Sequence, residues 1–360
     1  MEFYELLEQW FARNGRDLPW RNTRDPYRVW VSEIILQQTR VEQGRDYYIR
    51  FLKAFPTVGQ LAAASQDSVM RQWEGLGYYS RARNLHAAAR QVVEAGKFPA
   101  DYAGLRSLKG VGDYTAAAIA SFCYDEPRAV VDGNVYRVLS RCFGITTPID
   151  TTQGRREFAE MADMLLDRQR PALYNQAIMD FGALHCTPKS PLCSTCPMEA
   201  MCKAREWGRV GELPVKSKRT AVAIRHLVYF ILEEEHGCFL IRRREAGDIW
   251  KGLYEPLLLE MQHEADSDEA MAALGNWLSE NAGAWGEEVD LHLKESVQGL
   301  RHQLTHRLLL ADAYRVRARG CDAERCKAPE GYRWVSRDEL VELAAPRLVN
   351  RIYEHFGMAE

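Results

Sequence analysis

Apolar residues recur every three or four positions over most of the first 205 residues, the period of helices buried along one face. The stretch 25–36 is representative. Asp25-Pro26 supplies a capping residue and then a proline for the first helical position, and Tyr27, Trp30, Val31, Ile34 and Ile35 form an apolar stripe behind it. The same spacing predicts helices at 67–74, 80–94, 113–123, 135–142, 155–166 and 172–183. No β-rich run interrupts them, so this part reads as all-α. Past Cys202 the pattern changes. Residues 208–219 hold glycines, a proline and clustered charge, which predicts an exposed linker. Beyond it, short β-type runs at 227–232, 238–242, 254–259 and 308–316 mix with amphipathic stretches near 268–278 and 337–343. The chain is therefore expected to hold a helical domain over 1–205, a linker over 206–225 and an α+β domain over 226–360.

Composition sharpens this reading. With 360 residues, 46% of them apolar and 27% charged, the chain has material for two cores. No apolar run approaches the roughly 18 residues that a membrane helix needs. Residues 1–10 carry three acidic side chains and no basic one, so no secretion signal is read there and an intracellular site is expected. The net charge of −3 argues at first against a nucleic-acid partner, but it is unevenly spread. Residues 1–215 hold 27 basic and 25 acidic side chains, 216–225 add four basic and no acidic ones, and 226–360 hold 16 basic against 25 acidic. Positive charge thus sits in the helical part and the linker, which permits contact with phosphates.

Four segments carry candidate chemistry. Of nine cysteines, four fall in Cys186-x6-Cys193-x2-Cys196-x5-Cys202 and five are scattered, which suits reduced thiols plus one ligand cluster rather than a disulfide framework. Four thiolates this close can wrap one tetrahedral ion or one cubane cluster. A zinc knob usually draws on two tight Cys-x2-Cys pairs and this run has one, so the spacing favours iron–sulfur over zinc. Gly110 and Gly112 flank a valine just before the 113–123 helix. Such a turn leaves amides at a helix N-terminus that can cradle a phosphate, although it would serve equally as a plain connector. Asp132, in Val131-Asp132-Gly133-Asn134-Val135, is an ordinary helix cap by position. Glu33 lies within an otherwise apolar helix. Most helical glutamates are solvated, but one buried beside the stripe would have a raised pKa and could act as a general acid.

Together these features resemble the endonuclease III superfamily of base-excision glycosylases over about residues 5–205. Members combine a glycine-rich helix-hairpin-helix, an aspartate beyond it and a cysteine loop of this spacing. The resemblance implies a 4Fe-4S cluster on Cys186, Cys193, Cys196 and Cys202, with Gly110 and Gly112 at the DNA backbone. Three features are similar to the adenine-specific, MutY-type branch: Tyr114, Glu33 in its helix, and the additional C-terminal domain. Strand-cutting members carry a lysine at the position of Tyr114, because a Schiff base needs an amine, and the lysine sometimes found four residues beyond the aspartate is Tyr136 here. The chain is thus expected to be monofunctional or nearly so. The implied reaction flips adenine, mispaired with 8-oxoguanine or guanine, out of duplex DNA and hydrolyses its bond to the sugar. Glu33 would protonate the departing base and Asp132 would stabilise or capture the oxocarbenium-like sugar. Tyr114 would support the acid or the sugar, and Asn134 would orient Asp132 or water. By the same resemblance Trp20, Arg21, Leu36 and Gln176 line the adenine pocket, while Gln38 and Tyr78 fill the duplex near the orphaned partner. The cluster fixes its loop, whose Lys189 could meet phosphates.

Residues 226–355 resemble the nudix-like domain that recognises 8-oxoguanine opposite the adenine. Trp250-Lys-Gly252-Leu253-Tyr254-Glu255 matches its Trp-x-Gly-Leu-aromatic turn, without the Phe-Pro pair that usually follows. Leu304-Thr305-His306 stands at its Phe-Ser-His loop, keeping only the histidine. No Gly-x5-Glu-x7-Arg-Glu box is present, so nucleotide hydrolysis is not expected. The expected partner is duplex DNA, met by a monomer in the cytoplasm near the nucleoid and away from membranes. Two rivals remain at this level: a glycosylase that removes thymine from G:T pairs, and a DNA-binding or redox-sensing iron–sulfur protein without catalysis.

Overall fold

The computed structural model describes residues 2–217, 222–245, 247–281, 289–321 and 327–358, and contacts divide the chain into two units. One unit joins Met1–Ala64 with Asn84–Arg219; the other joins Ser65–Arg83 with Thr220–Glu360.

The first unit is helical throughout. It contains α1 (Phe3–Asn14), α2 (Pro26–Leu36), α3 (Val41–Ala54) and α4 (Val58–Ala63); α5 (Gln66–Gln72) falls in the other unit, and α6 (Ser80–Glu94) crosses the boundary. Then follow α7 (Tyr102–Ser107), α8 (Asp113–Tyr124), α9 (Gly133–Phe143), α10 (Thr152–Leu165), α11 (Pro171–Asp180) and, after the cysteine loop, α12 (Lys203–Glu206). Asp25 caps α2 as its sequence suggests, its carboxylate accepting the Tyr27 N–H at 2.9 Å, and the whole predicted stripe is buried. At the centre lies α8, whose residues from Thr115 to Ser121 are all buried. Its run of alanines keeps helix propensity high and lets neighbouring helices approach closely. Around Ala117 and Ala118 pack Leu7 of α1, Val138 of α9, Phe158 of α10 and Ile178 of α11.

Two segments depart from expectation. The predicted helix 172–183 is α-helical only to Asp180, and Phe181–His185 then widens into a π turn that delivers the chain to Cys186. The expected exposed linker is partly docked. Leu213 is buried, its carbonyl accepts from Arg141 Nε at 3.2 Å, and the Val215 carbonyl accepts the Ile149 N–H at 3.0 Å.

The second unit is built on a six-stranded mixed sheet: β1 (Ala223–Glu233), β2 (Phe239–Arg243), β3 (Tyr254–Met261), β4 (Asp290–Gln303), β5 (Arg307–Arg319) and β6 (Tyr332–Val335), in the order β4-β5-β1-β3-β2-β6. Strands β1 and β5 run parallel, from Ala223 opposite Arg307 to Glu233 opposite Arg317, and the other pairs are antiparallel. Leu227, Tyr229 and Ile231 face a core shared with Leu348, Val349 and Ile352 of the last helix, Arg347–His355. Val228, Phe230 and Leu232 face the opposite core, with Ala270 and Leu274 of the helix Ser267–Glu280. Burial on both faces is why β1 reads as an unbroken apolar run. Strand β4 escaped the sequence reading because it is an edge strand with few buried residues, interrupted by register shifts at Leu293/Glu295 and Val297/Leu300. Among the described residues no helix is long and apolar enough to cross a membrane.

Candidate active site

A cavity of about 400 Å³ opens in the first unit, walled by α2 and the loop after it, α8, the start of α9 and α11. Trp20, Arg21, Glu33, Leu36, Gln38, Tyr114, Asp132, Asn134 and Gln176 all line it. Eight of these are the residues expected at the catalytic centre and adenine pocket; the ninth, Gln38, was expected in the duplex beside the orphaned partner and lines the same cavity.

Glu33 sits on a helix buried on nearly every side and is itself 6% exposed, so its carboxyl has little water to solvate a charge. Burial pushes its pKa up to about 7, with Asp132 adding to the rise, while a hydrogen bond from Tyr114 and the charge of Arg21 oppose it. Tyr114 donates its hydroxyl to Glu33 Oε2 at 2.8 Å, which leaves Oε1 as the oxygen to carry a proton. Burial also drives the phenol well above its ordinary value, so Tyr114 stays a donor and never competes as a base.

Asp132 is the helix cap its position suggests, and it also lies at the cavity. It caps α9, with Oδ1 accepting the N–H groups of Asn134 at 2.9 Å and Val135 at 2.8 Å, and it faces the cavity. Oδ2 accepts Asn134 Nδ2 at 2.8 Å. Burial raises its pKa while these three donors pull it down, and the helix N-terminus they belong to favours an anion. Burial prevails and the Asp132 pKa is raised on balance, so both carboxyls of the site are desolvated; they differ in their donors, one hydroxyl on Glu33 and three N–H groups on Asp132.

Behind Asp132 runs a chain of bonds that the sequence did not disclose. Arg137 NH2 donates to Asn134 Oδ1 at 2.8 Å and to the Gly182 carbonyl at 2.6 Å, and Arg137 Nε donates to the Cys186 carbonyl at 2.7 Å. Arg137 stands three residues after Asn134 on one helix face, which is the spacing that could have marked it. Gly182 also lacks room: a Cβ there would stand 2.6 Å from that of Asn134 and 3.1 Å from its backbone. Gly182→Ala is expected to displace Asn134 and lower single-turnover base release about tenfold or more, with a stability loss of about 1–3 kcal/mol. Unaltered release by a folded variant would show that Asn134 does not govern Asp132.

Asp180 is a second residue missed from sequence. Fully buried, it takes Arg21 in a bidentate pair at 2.7 and 2.8 Å and also bonds Arg16, fixing Arg21 in the cavity wall. Its signal was an acid at the end of the apolar stretch 177–181, the same anomaly that flagged Glu33. Tyr136, by contrast, packs on Phe158 with ring centroids 4.9 Å apart and is not among the cavity residues.

Around the cysteine loop, Arg141 is buried and donates to Cys186 Sγ at 3.4 Å and to the Thr187 carbonyl at 2.8 Å. A hydrogen bond from Cys142 lowers the Cys202 thiol to about 6, and burial raises Cys196, with Cys186, Cys202 and Cys193 near enough for their charges to add to the rise. Four thiols in mutual electrostatic range, backed by a buried guanidinium, fit an anionic thiolate-ligated cluster. Among the described residues no three His, Cys, Asp or Glu side chains form a ready group for a single metal ion. Gly110 adopts φ +76°, and a Cβ there would lie 2.5 Å from Asn84; Gly112 caps α8 without a side chain.

In the second unit, Tyr78 has φ +46° and is half exposed, and its hydroxyl shares a hydrogen bond with Thr305. Leu304, Thr305 and His306 form the turn between β4 and β5, across a cavity of about 630 Å³ from Trp250. Tyr78 belongs with this turn and does not line the first unit's cavity.

Residues 31–163 match the model of the HhH-GPD superfamily of base excision DNA repair proteins, and 228–355 match that of the NUDIX domain. The chain is similar to the adenine DNA glycosylase of Mus musculus, 44% identical over 222 residues, 59% of this chain and 43% of that protein; it thus spans less than half that relative's length. With the adenine DNA glycosylase of Buchnera aphidicola subsp. Baizongia pistaciae it shares 34% identity over 256 residues, 70% of this chain and 72% of the relative. A thermostable thymine-DNA glycosylase of known structure superposes with a TM-score of 0.53 at 28% identity, covering 57% of this chain and 95% of its own. On the identity and coverage shared with the Buchnera relative, the chain belongs to the adenine DNA glycosylase family.

Proposed function

We propose that this protein is a monofunctional adenine DNA glycosylase, acting on adenine opposite 8-oxoguanine or guanine in duplex DNA and leaving an abasic site. One observation carries the reading: Glu33 and Asp132 share a single cavity, Glu33 protonatable near neutrality and Asp132 accepting three hydrogen bonds from the start of α9.

Adenine leaves poorly as an anion, so a proton must reach a ring nitrogen as its bond to C1′ breaks. Glu33, with Tyr114 on Oε2, supplies that proton from Oε1. Cleavage leaves positive charge on the sugar, and Asp132 stabilises or captures it, oriented by Asn134. Water then adds at C1′ and its proton returns to a carboxylate, which restores the site. Trp20, Arg21, Leu36 and Gln176 hold the flipped base. No amine among these residues can form a Schiff base with the sugar, so the strand stays intact.

Gly110 and Gly112 would grip a DNA phosphate through backbone amides, and Gln38 and Tyr78, both at positive φ, would wedge into the vacated stack. Leu304, Thr305 and His306 would read the opposite base. Cys186, Cys193, Cys196 and Cys202 would hold a 4Fe-4S cluster, whose contribution is to fix their loop and Lys189 against DNA; iron and sulfide content of the purified protein tests this. The monomer would work in the cytoplasm at the nucleoid.

The thymine-DNA glycosylase likeness keeps a second reading in view. Duplexes carrying 8-oxoguanine:A, G:A and G:T separate the two. Base release from the first two supports adenine specificity, and release from G:T alone would overturn it.

A further inference from the structure

Three arginines of the second unit converge on Asp248. Its Oδ1 accepts from Arg307 NH1 at 2.6 Å and from Arg225 NH1 at 2.9 Å, and its Oδ2 accepts from Arg244 NH2 at 2.8 Å. Two of these arginines have a second acid: Arg225 pairs with Glu260, and Arg244 donates to the fully buried Glu255 at 2.7 and 2.8 Å. Arg307 pairs with Asp248. Burial works against the Asp248 charge, yet the Ile249 amide and the guanidinium groups hold its pKa at about 2, so it is anionic at any working pH.

The partners of Asp248 belong to two different loops. Arg307 directly follows Leu304-Thr305-His306 and closes that turn, its carbonyl accepting the Leu304 N–H at 2.8 Å. Arg244 clamps the other loop. Its Nε donates to the Ile249 carbonyl at 2.9 Å, and its backbone pairs with Gly252 at 2.6 Å and Leu253 at 2.9 Å, around a Trp250 held at φ +64°. The cavity of about 630 Å³ lies between these loops, with Asp248 in its wall. The walls also meet where Trp250 packs edge-on against His302, ring centroids 5.9 Å apart, and Asp248 supplies the charged tie between them.

We infer that Asp248 is a positioning residue for opposite-base recognition: it binds the Leu304–His306 turn to the Trp250 turn and so sets the pocket that discriminates 8-oxoguanine from guanine. This rests on the proposal that the Leu304–His306 turn reads the opposite base. Both its oxygens are taken by guanidinium groups, so its part is to position the turn.

The test measures single-turnover rates and binding on 8-oxoguanine:A and G:A duplexes, and takes their ratio. Asp248→Asn keeps the shape and removes the charge; it is expected to lower the 8-oxoguanine preference about tenfold, as a loosened pocket would. Arg307→Gln is expected to lower it similarly, and the double variant to lose little beyond either single one. Asp248→Glu restores the anion and should recover part of the preference. Circular dichroism and melting of each variant separate misfolding from loosening. Equal losses on both duplexes, or additive effects of the pair, would overturn the inference. Thr305→Ala and His306→Ala are the controls for the underlying reading. If they leave the preference intact, the turn does not read the lesion. If they abolish it while Asp248→Asn does not, the turn reads the lesion and Asp248 has no part in it.

Discussion

Asp132→Asn is expected to bind an 8-oxoguanine:A duplex with near-native affinity and to release adenine at least about a thousandfold more slowly. The substitution is informative because asparagine caps helices about as well as aspartate. Its Oδ1 still accepts the N–H groups of Asn134 and Val135, so α9 keeps its start. What changes lies on the other oxygen. An amide there faces the Asn134 amide that now donates to Oδ2, a mismatch worth about 1 kcal/mol. The loss of negative charge opposite the developing cation is the larger effect. Single-turnover kinetics beside a binding titration separate the two, and near-normal turnover would remove Asp132 from its role.

Glu33→Gln is expected to act in opposite directions on catalysis and on stability. Without an acid, adenine release should fall about 10²–10⁴-fold. Stability should rise at alkaline pH. A carboxyl raised from 4.5 to about 7 binds its proton more tightly in the folded state than in the unfolded chain. Folding is therefore favoured below pH 4.5, and that advantage is lost as pH climbs to about 7. Above it the buried charge costs about 3 kcal/mol. Glutamine keeps an oxygen for the Tyr114 hydroxyl and carries no charge, so most of this cost should be recovered. Urea denaturation at pH 8 reads the gain. The same pKa governs rate: wild-type single-turnover release should fall tenfold per pH unit above about 7. A variant less stable at pH 8, or a flat profile there, would mean that Glu33 is not the buried acid.

Much of the site was legible because its residues break local rules. Glu33 is an acid on an apolar helix, four cysteines crowd seventeen positions, and Gly110 and Gly112 open α8. Such conflicts between local pattern and global fold mark functional positions. What remained hidden depends on distant pairing. Nothing near Asp180 announces that Arg16 and Arg21, more than 150 positions earlier, complete it. Arg137 acts through the carbonyls of Gly182 and Cys186, and backbone acceptors leave no trace in a sequence. In the fold, the helical character of the first unit was readable from its periodicity, though α1, α3, α4 and α7 were not singled out, and β1 was readable because burial on both faces makes it an apolar run. Strand β4 was not, since an edge strand is specified by its partner's backbone and this one is largely polar. The π turn at Phe181–His185 was likewise read as more helix, because its apolar content continues that of α11.

Adenine is expected to be released without strand cleavage. End-labelled duplex carrying 8-oxoguanine:A, incubated with excess protein and resolved before and after alkali, tests it most directly. The geometry of Glu33, Asp132 and Tyr114 requires a break at the adenine that appears only after alkali. A break without alkali would mean that some amine forms a Schiff base with the sugar, and tight binding with no break at all would leave both carboxyls without the roles assigned to them.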